Sequence, residues 1–532
     1  MDDLTVHGVK VGRSAQLGTT GLKSPRANSP RTINNVIVPN EMFWMFGDQL
    51  GDHFIPEDFE GQIVLIESRG VFRRRAYHRA KAHLMLTAMR RRAAELGDRA
   101  VYIRAETYTE ALEELPEKLQ VRRPTSWAAL RFLESLGDRV EILEPAGFVT
   151  SVAEFSDWAD RRGRKRLLME DFYRETRRRT GLLMVDDQPI DGRWNFDSDN
   201  REPPPKGEID LGLAEPWWPA EDEVDAEVRR DLDEWANDGI EFIGRDGPRR
   251  FATSQVEAEQ VLADFIEHRL AAFGKYEDAM MGEDDWMAHS MLSVPLNLGL
   301  LDPLAVAKRV EQAYYEQVAP IAAVEGFIRQ VVGWRDYVWH LYWHLGEDYR
   351  TENALDARTP LPQWWQNLDA DALEARCLSD SLRKTRDYGW AHHIERLMVL
   401  GSWAIQQGYD PDALTDWFRR SFVDGYDWVM VPNVVGMSQY ADGGVMATKP
   451  YTSGGAYLKR MSNHCGDCRY KPTERVGEQA CPFTTGYWSF LADNAEALAG
   501  NARMNQPLAG MRRLSNLDEV RQRQAARGTD PP

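Results

Sequence analysis

The four cysteines of this chain of 532 residues are unevenly spaced. Cys465 and Cys468 form a Cys-x-x-Cys turn, Cys481 follows soon after, and Cys377 stands well upstream. Because a long chain without a secretory signal does not need a disulfide framework, we expect free thiols. The spacing leaves three interpretations open: an iron–sulfur cluster with one thiolate for each iron, a structural zinc site, or unrelated buried thiols. A zinc ribbon commonly uses two close pairs, so the asymmetry favours the cluster.

Polar residues interrupt apolar, helix-like segments in the second half of the chain. Ser290 and Ser293 could donate to a pyrophosphate, Arg329 could neutralise it, and Asn433 or Asp424 could meet the polar edge of a ring. Such a set can line a pocket for a phosphate-bearing redox cofactor. By residue type alone, a solvated or helix-capping role is the simpler interpretation of each.

Two adjacent histidines, His392 and His393, lie in the segment Tyr388–Met398. Neighbouring positions on a helix point about 100° apart, so one ring can face a pocket while the other packs. Because histidine titrates near neutral pH, either ring could donate a proton. Structural packing of both rings is the alternative.

The first part of the chain alternates strand-like and helix-like segments. Strands are predicted at Phe43–Phe46, Gln62–Ile66, Val101–Arg104 and Val140–Leu143, and helices at Ala76–Leu96, Thr109–Leu119 and Ser126–Leu136. This alternation is typical of a Rossmann-like parallel α/β domain. No GxGxxG follows the first strand, so the usual dinucleotide fingerprint is missing. A ligand could still bind where Gly47-Asp48-Gln49 follows that strand, although a simple turn explains the same residues.

Beyond the α/β domain the pattern changes twice. We divide the chain into a flexible extension over 1–40, the α/β domain over 41–151, a connector over 152–250, an all-α domain over 251–520 and a flexible tail over 521–532. The connector contains a basic helix predicted over Arg161–Thr180. The all-α domain begins at Ser254-Gln255-Val256-Glu257, which matches a capping box.

Composition excludes several classes of protein. The net charge of −19 argues against nucleic-acid binding through overall charge, but it leaves room for a local basic face. Arginine runs are present, although solvated helix faces explain them equally: Arg73–Arg75, Arg90–Arg92, Arg161–Arg166 and Arg177–Arg179. We find no apolar run long enough to span a membrane and no secretory signal, so we expect a cytoplasmic protein.

Several segments together resemble one family, the iron–sulfur bacterial cryptochromes and photolyases, also called prokaryotic (6-4) photolyases. The resemblance extends from about Met42 to Leu491. Its segments, in order, are GDQL at Gly47–Leu50, ME-x-FYR at Met169–Arg174, RWNFD at Arg193–Asp197, DAM with HS at Asp278–Ser290, EGFIRQ-x-x-GWR at Glu325–Arg335 and GWAHHIERLM at Gly389–Met398, followed by the cysteines. The family is part of the photolyase/cryptochrome superfamily.

The resemblance implies a Rossmann-like antenna domain and a helical domain that binds FAD. Residues implied to line the FAD site are Tyr276, His289, Ser290, Ser293, Asn297, Glu325, Arg329, Trp334, Asp424 and Asn433. It also implies a [4Fe–4S] cluster on Cys377, Cys465, Cys468 and Cys481. His392, His393 and Tyr451 match positions that face the DNA lesion. A ribityl lumazine is the antenna chromophore implied for the N-terminal sheet.

The implied activity is repair of damaged DNA by light. An electron would pass from reduced flavin to a flipped-out (6-4) pyrimidine photoproduct, and a histidine would supply a proton. We expect a monomer. A cryptochrome, which would sense blue light with the same cofactors and repair nothing, is the second hypothesis. A zinc-stapled nucleic-acid-binding protein without light chemistry is the third.

The chain departs from the family pattern in two places. Asp369 stands where a tryptophan often passes electrons to the flavin, so Trp365 or Trp364 would have to substitute. Trp417 resembles the other relay position, but Phe418 follows where a tyrosine can occur. The stretch 71–85 does not match lumazine-binding side chains, which leaves the antenna chromophore open.

Overall fold

A computed structural model describes residues 42–115, 118–163 and 166–532. The predicted flexible extension lies outside the described residues. The first region is a parallel sheet of five strands in the order β3-β2-β1-β4-β5. The strands are β1 Met42–Trp44, β2 Gln62–Ser68, β3 Ala100–Ala105, β4 Leu119–Arg122 and β5 Val140–Leu143. The helices of this region are Arg69–Arg73, Arg79–Leu96, Tyr108–Glu113 and Trp127–Ser135.

The predicted parallel α/β domain is confirmed, but one of its strands was missed. Strand β4 occupies Leu119–Arg122, whereas we predicted a helix over Thr109–Leu119 that ends at Glu113 in the structure. In β4 only Leu119 and Val121 are buried, so the period-2 alternation is too short to detect. Because β4 pairs with β1, it completes the crevice at the carboxyl end of the first strand.

The connector holds more regular structure than we predicted. Its helices are Val152–Arg162, Met169–Thr180 and Glu223–Asn237. The predicted single helix over Arg161–Thr180 is therefore wrong. The first helix ends at Gly163, whose φ of +56° favours glycine, and the second begins only at Met169.

The rest of the described chain is helical, as predicted. Its α-helices are Gln255–Asp264, Leu270–Tyr276, Ser293–Asn297, Pro303–Tyr315, Ile321–Ile328, Asp336–His344, Gln363–Gln366, Arg376–Tyr388, Ser402–Gln407, Pro411–Ser421, Asp427–Val431, Gly455–Met461, Pro482–Asp493, Asn505–Arg512 and Leu517–Arg527. Wider π-helical turns occur at Phe265–Arg269, Arg329–Arg335, Glu395–Gly401 and Pro432–Ser438. Such turns are rare and frequently mark functional sites.

Two local predictions in this region have different outcomes. Ser254 caps the helix Gln255–Asp264 by accepting from the Glu257 backbone amide, as predicted. The flexible tail predicted over 521–532 is wrong for most of its length, because the helix Leu517–Arg527 packs against the helix Pro482–Asp493. No helix among the described residues is long and apolar enough to cross a membrane.

The arginine run Arg90–Arg92 fastens the sheet region to the connector. Arg90 pairs with Glu67 at 2.9 Å and with Asp231 at 2.6 Å. Arg91 pairs with Asp225 at 2.8 Å and also contacts Glu257, where the helical region begins. These guanidinium groups are therefore structural, neither a solvated face nor a surface for nucleic acid.

Candidate functional site

A cavity of about 970 Å³ opens within the helical region. Three of the four π-helical turns described above contribute to its wall, through Arg329 and Trp334, Arg396, and Asn433. A wider turn rotates the side chains that follow it, so polar groups of an otherwise apolar helix can face inward. The volume and the mixture of apolar walls and a few polar groups are typical of a cofactor site.

Most of the predicted site residues line this cavity. They are His289, Ser290, Ser293, Asn297, Arg329, Trp334, Asp424, Asn433, His392, His393 and Tyr451. Tyr276 does not, because its ring packs beside Ala279 and Met281. Glu325 does not either, because it is fully buried behind Arg329 and accepts from the Phe196 backbone amide at 2.9 Å.

Asp424 organises one wall of the cavity. Its two carboxylate oxygens receive two bonds from the Arg396 guanidinium, at 2.8 and 3.1 Å. The Ser293 hydroxyl donates to the same carboxylate at 2.7 Å, and the Asn297 amide donates to the Asp424 backbone carbonyl at 3.1 Å. Two buried charges in this two-pronged geometry hold each other in place. Sequence reasoning missed Arg396, although it lies in the same motif as the two histidines.

Arg329 differs from its predicted role. Three carboxylates surround its buried guanidinium, those of Asp197 at 3.1 Å, Glu325 at 3.5 Å and Glu277 at 3.8 Å. Burial raises the pKa of Glu277 to about 7, and the charge of Arg329 opposes that rise. Because its charge is already balanced, Arg329 does not offer a free cation to a pyrophosphate, and the structure gives that prediction no support.

The segment that carries Ser290 and Ser293 has an unusual backbone. Met287 and Met291 both have positive φ angles, +46° and +58°, which are uncommon for residues other than glycine. Strain of this kind persists only where the surroundings fix it, and it concentrates at binding sites. Ser290 therefore lies on a sharply shaped loop at the cavity wall, and Ser293 begins the helix Ser293–Asn297 that follows it.

The two predicted histidines occupy different environments. His393 has 51% of its side chain exposed in the cavity, and its Nε2 lies 3.6 Å from an oxygen of Asp278. His392 is buried, and its ring stacks on that of His289 with centroids 4.6 Å apart. Burial and then neighbouring cations lower the pKa of both stacked rings, so His392 and His289 are neutral. His393 is thus the ring that can reach a substrate.

Asp278 sets the charge beside His393. Burial alone would raise the pKa of Asp278, but the bond to His393 and the nearby Arg201 outweigh it and lower that pKa. An ionised carboxylate stabilises a protonated imidazole next to it. Tyr451 lines the same cavity, and burial raises the pKa of its phenol, which keeps the hydroxyl protonated. The cavity therefore presents two proton-bearing groups.

Exposed basic residues border the cavity. We call Lys449, Arg460 and Arg503 the basic rim; all three are exposed, line the cavity and form no ion pair within the described residues. They come from separate parts of the sequence, and none belongs to an arginine run. A positive rim around an opening suits the phosphates of a nucleic acid.

Tryptophan side chains lead away from the cavity. Phe418 lines the cavity, and its ring centroid lies 5.1 Å from that of Trp417. Trp417 and Trp365 are both fully buried, with centroids 4.9 Å apart, and Trp364 follows at 5.7 Å. Asp369 is exposed beside them. Trp365 thus packs directly against Trp417. This contact is required if Trp365 is to take the relay position at which this chain has Asp369.

The four cysteines are free thiols contributed by three elements. Cys377 opens the helix Arg376–Tyr388, Cys465 and Cys468 lie on one loop, and Cys481 caps the helix Pro482–Asp493. Burial raises the pKa of Cys377, and the other three thiols raise it further. The other three sulfurs are therefore close enough to Cys377 to affect its pKa. Burial and then Cys481 and Cys468 raise the pKa of Cys465 to about 12. Metal sites are built from cysteine sulfurs collected in this way, so the four cysteines form a candidate metal centre.

The N-terminal stretch predicted to contact an antenna chromophore is occupied by protein contacts. The Lys81 ammonium donates to backbone carbonyls, including that of Arg419 at 2.8 Å. The His83 ring lies 3.1 Å from both Asp225 and Asp246. In the crevice at the end of β1, Thr125 donates to Asp48. These side chains are engaged within the protein, and the antenna chromophore stays a prediction.

Known proteins resemble the chain over most of its length. Residues 43–242 match the family described as deoxyribodipyrimidine photo-lyase-related protein. A (6-4) photolyase from Agrobacterium fabrum is 39% identical over 500 residues, which make up 90% of this chain and 96% of the relative. The chain belongs to the photolyase/cryptochrome superfamily.

Solved structures of the superfamily share the fold. A bacterial class III photolyase from Agrobacterium tumefaciens superposes with a TM-score of 0.54, covering 93% of this chain and 98% of its own at 14% identity. A Synechocystis cryptochrome superposes with a TM-score of 0.51, covering 80% of this chain and 89% of its own at 13% identity. The predicted family and fold class are confirmed.

Superfamily membership implies FAD as the cofactor, and the cavity residues fit it. The Nε2 atom of His289 is buried at the wall without a hydrogen-bond partner among the described residues. Because buried polar atoms are normally paired, this atom indicates a ligand group. Phe273, Val331 and Trp334 provide apolar walls against which a ring system can pack.

Proposed function

We propose that the protein is a light-driven (6-4) photolyase that binds damaged DNA over the helical cavity. The observation that carries the proposal is the placement of His393, which is exposed in the cavity that the basic rim also lines and lies 3.6 Å from Asp278. The Agrobacterium fabrum relative, named a (6-4) photolyase, supports the same activity. A light sensor does not require a proton donor at the mouth of the flavin cavity.

The chain's own residues account for recognition and proton transfer. A damaged base must leave the duplex, which costs a few kcal/mol and is cheapest where stacking is already poor. The basic rim would hold the phosphates on either side while the base enters the cavity. His393 would then donate the proton on its Nε2 to the lesion, with the Asp278 carboxylate 3.6 Å from that atom.

FAD, when bound and reduced, supplies the electron that light transfers to the lesion. Ser290, Ser293, Asn297 and Asn433 would hold it by hydrogen bonds, and Trp334 would pack against it. Asp424 would fix Ser293 and Arg396, so that both present a defined surface to the cofactor. Trp428 and Met430, both buried, add an apolar surface to the cavity wall.

A repair assay tests the proposal. Reduced protein is illuminated with an oligonucleotide carrying one (6-4) lesion, and in parallel with one carrying a cyclobutane dimer. We expect restoration of the (6-4) site alone. The variant His393→Asn should lose about 10²- to 10³-fold in repair rate while keeping its flavin.

The exposed His268, which does not line the cavity, offers a control. His268→Asn should repair like the unmodified protein. Failure of the unmodified, flavin-loaded protein to restore either lesion would favour the light-sensor alternative. Full activity in His393→Asn would show that another group donates the proton.

We also propose that the four cysteines hold a [4Fe–4S] cluster. The convergence of four cysteines from three elements supports a metal centre, and the uneven spacing favours a cluster over zinc. Metal and acid-labile sulfide analysis should give about four irons and four sulfides per chain. Zinc without iron would refute the cluster.

We propose finally that Trp365 takes over the relay position that Asp369 vacates. Its ring contacts Trp417, which leads through Phe418 to the cavity. In Trp365→Phe, photoreduction of bound flavin by an external thiol should slow by about tenfold. Trp339→Phe, which alters another fully buried tryptophan, is the control. Equal slowing in both variants would contradict a specific relay.

A further inference from the structure

A group of charged residues is buried behind the histidine pair, outside the cavity wall. Lys384 and Glu395 have no exposed side-chain surface, and their charged atoms lie 2.7 Å apart. The Lys384 ammonium also lies 3.3 Å from Asp380 and 3.7 Å from Asp285. Burying ions is costly, and an apolar pair of the same volume is often equally stable. The pair therefore calls for a reason other than stability.

Glu395 has a second oxygen that is not used by Lys384. That Oε2 lies 3.6 Å from Nε2 of His392, and both atoms are buried without a hydrogen-bond partner among the described residues. A water cannot fit between atoms this close, whereas a small side-chain rotation closes the gap to a direct bond. Because buried polar groups are normally paired, Glu395 Oε2 is a partner for His392 Nε2. The buried His464 ring, whose nitrogens are also unpaired within the described residues, is a second neighbour of Glu395 within 4.8 Å and lies 4.0 Å from Asp380.

The charge states agree with this pairing. Burial raises the pKa of Glu395 to about 7, and Lys384 opposes the rise. Burial alone would lower the pKa of Lys384, but Glu395, Asp380 and Asp285 outweigh it and raise that pKa. His392 stays neutral, since burial and the surrounding His289, Lys384, His393 and Arg396 all disfavour its cation. A neutral ring with the proton on Nε2 can donate to the Glu395 carboxylate.

The bond would fix more than one ring. His392 stacks on His289, and the next residue along the chain is His393, the ring that reaches the cavity. The π-helical turn that brings Arg396 to the cavity begins at Glu395. A fixed His392 therefore fixes the backbone from which His393 projects.

We infer that Glu395, held in place by Lys384, is a positioning residue for the histidine pair of the lesion pocket. Glu395 and Lys384 do not line the cavity, so they act through His392. The inference rests on the proposed function, since it concerns the same proton donor. The positioning role of Glu395 and Lys384 does not involve the four cysteines.

The variant Glu395→Gln tests the inference in the flavin-loaded protein. It keeps the size of the side chain and its bond to Lys384, but it replaces the acceptor facing His392 with an amide group. We expect the maximal repair rate to fall about tenfold while the affinity for the (6-4) oligonucleotide and the flavin content are unchanged. Arg383→Met is the control, because Arg383 pairs with Asp285 and Asp380 but not with Glu395.

A second readout does not depend on repair. With ¹⁵N-histidine labelling, and His392→Asn to assign the signal, His392 should show a proton fixed on Nε2 in the unmodified protein. Glu395→Gln should change that signal to a mixture of tautomers, and Arg383→Met should leave it unchanged. An unchanged His392 signal together with an unchanged repair rate in Glu395→Gln would overturn the inference.

A double variant guards against simple unfolding. Lys384→Met with Glu395→Met removes both charges together, so no unpaired ion is buried. It should melt near the temperature of the unmodified protein and show the same loss of rate. If the unmodified protein repairs no lesion but the tautomer result holds, the proposed function fails and the positioning role stands.

Discussion

The arginine run Arg90–Arg92 and the basic rim contain the same kind of charge in opposite settings. The run is consecutive in sequence, yet its side chains are largely buried and paired with carboxylates, of which Asp231 and Asp225 belong to the connector. The rim consists of three basic residues that are scattered in sequence, exposed and unpaired within the described chain. The arginines that cluster in sequence here form structural ion pairs. The surface suited to DNA is assembled by folding from residues that are apart in the sequence.

The net charge of −19 likewise does not show which charges are available at the surface. Many carboxylates are used in pairing the arginine runs, as in Arg91 with Asp225 and Arg90 with Glu67. Burial alone would raise the pKa of Asp225, but His83, Arg249 and Arg91 together lower it, so the carboxylate is ionised. A protein with this overall charge can still bind DNA, because phosphate contacts depend on local groups.

The largest expected effect comes from breaking the paired run. Arg91→Met removes a guanidinium that contacts Asp222, Asp225 and Glu257. Asp225 and Glu257 each lose one charged hydrogen bond but keep Arg249, so we expect the free energy of unfolding to fall by about 2 kcal/mol. Urea denaturation measures this change, and DNA affinity of the folded protein should stay the same. Weaker DNA binding without loss of stability would place the run Arg90–Arg92 in the DNA interface. It would then contradict the distinction between a structural arginine run and a DNA-binding rim.

The next effect comes from the rim. Lys449→Gln combined with Arg460→Gln removes two exposed charges, so we expect the Kd for a lesion oligonucleotide to rise about tenfold with unchanged stability. The slope of log Kd against log salt should fall by about 2, since each phosphate contact releases about one counterion. Fluorescence anisotropy at several salt concentrations measures both. An unchanged slope would show that DNA does not meet this rim.

Sequence reasoning could identify the sheet and the histidines but not the rim. Strands β1, β2, β3 and β5 are visible as apolar runs, and the histidines stand in a recognisable motif. Strand β4 was missed because two buried residues make no detectable period. The rim was missed because Lys449, Arg460 and Arg503 become neighbours only through long-range packing.

Ion-pair partners were also beyond the reach of the sequence. Arg329 was predicted to face a phosphate, yet Asp197 and Glu277 approach it from two other segments, and Glu325 lies four residues before it. Arg396 was not singled out, although it forms the two-pronged contact with Asp424. Spacing along a helix predicts which residues share a face, but it does not predict which charge arrives from elsewhere.

The smallest effect is expected at an exposed member of a run, and it tests whether exposure or sequence clustering decides the role. Arg178 lies in the run Arg177–Arg179 with half of its side chain exposed, 4.0 Å from Glu175 and over the Trp194 ring at 4.6 Å. Exposed pairs and cation–π contacts of this kind each contribute about 1 kcal/mol or less. Arg178→Gln should therefore change the free energy of unfolding by no more than about 1 kcal/mol and leave the salt slope unaltered. Because Arg178 is exposed but does not line the cavity, a reduced slope in this variant would show that the DNA path extends beyond the rim onto the helix Met169–Thr180.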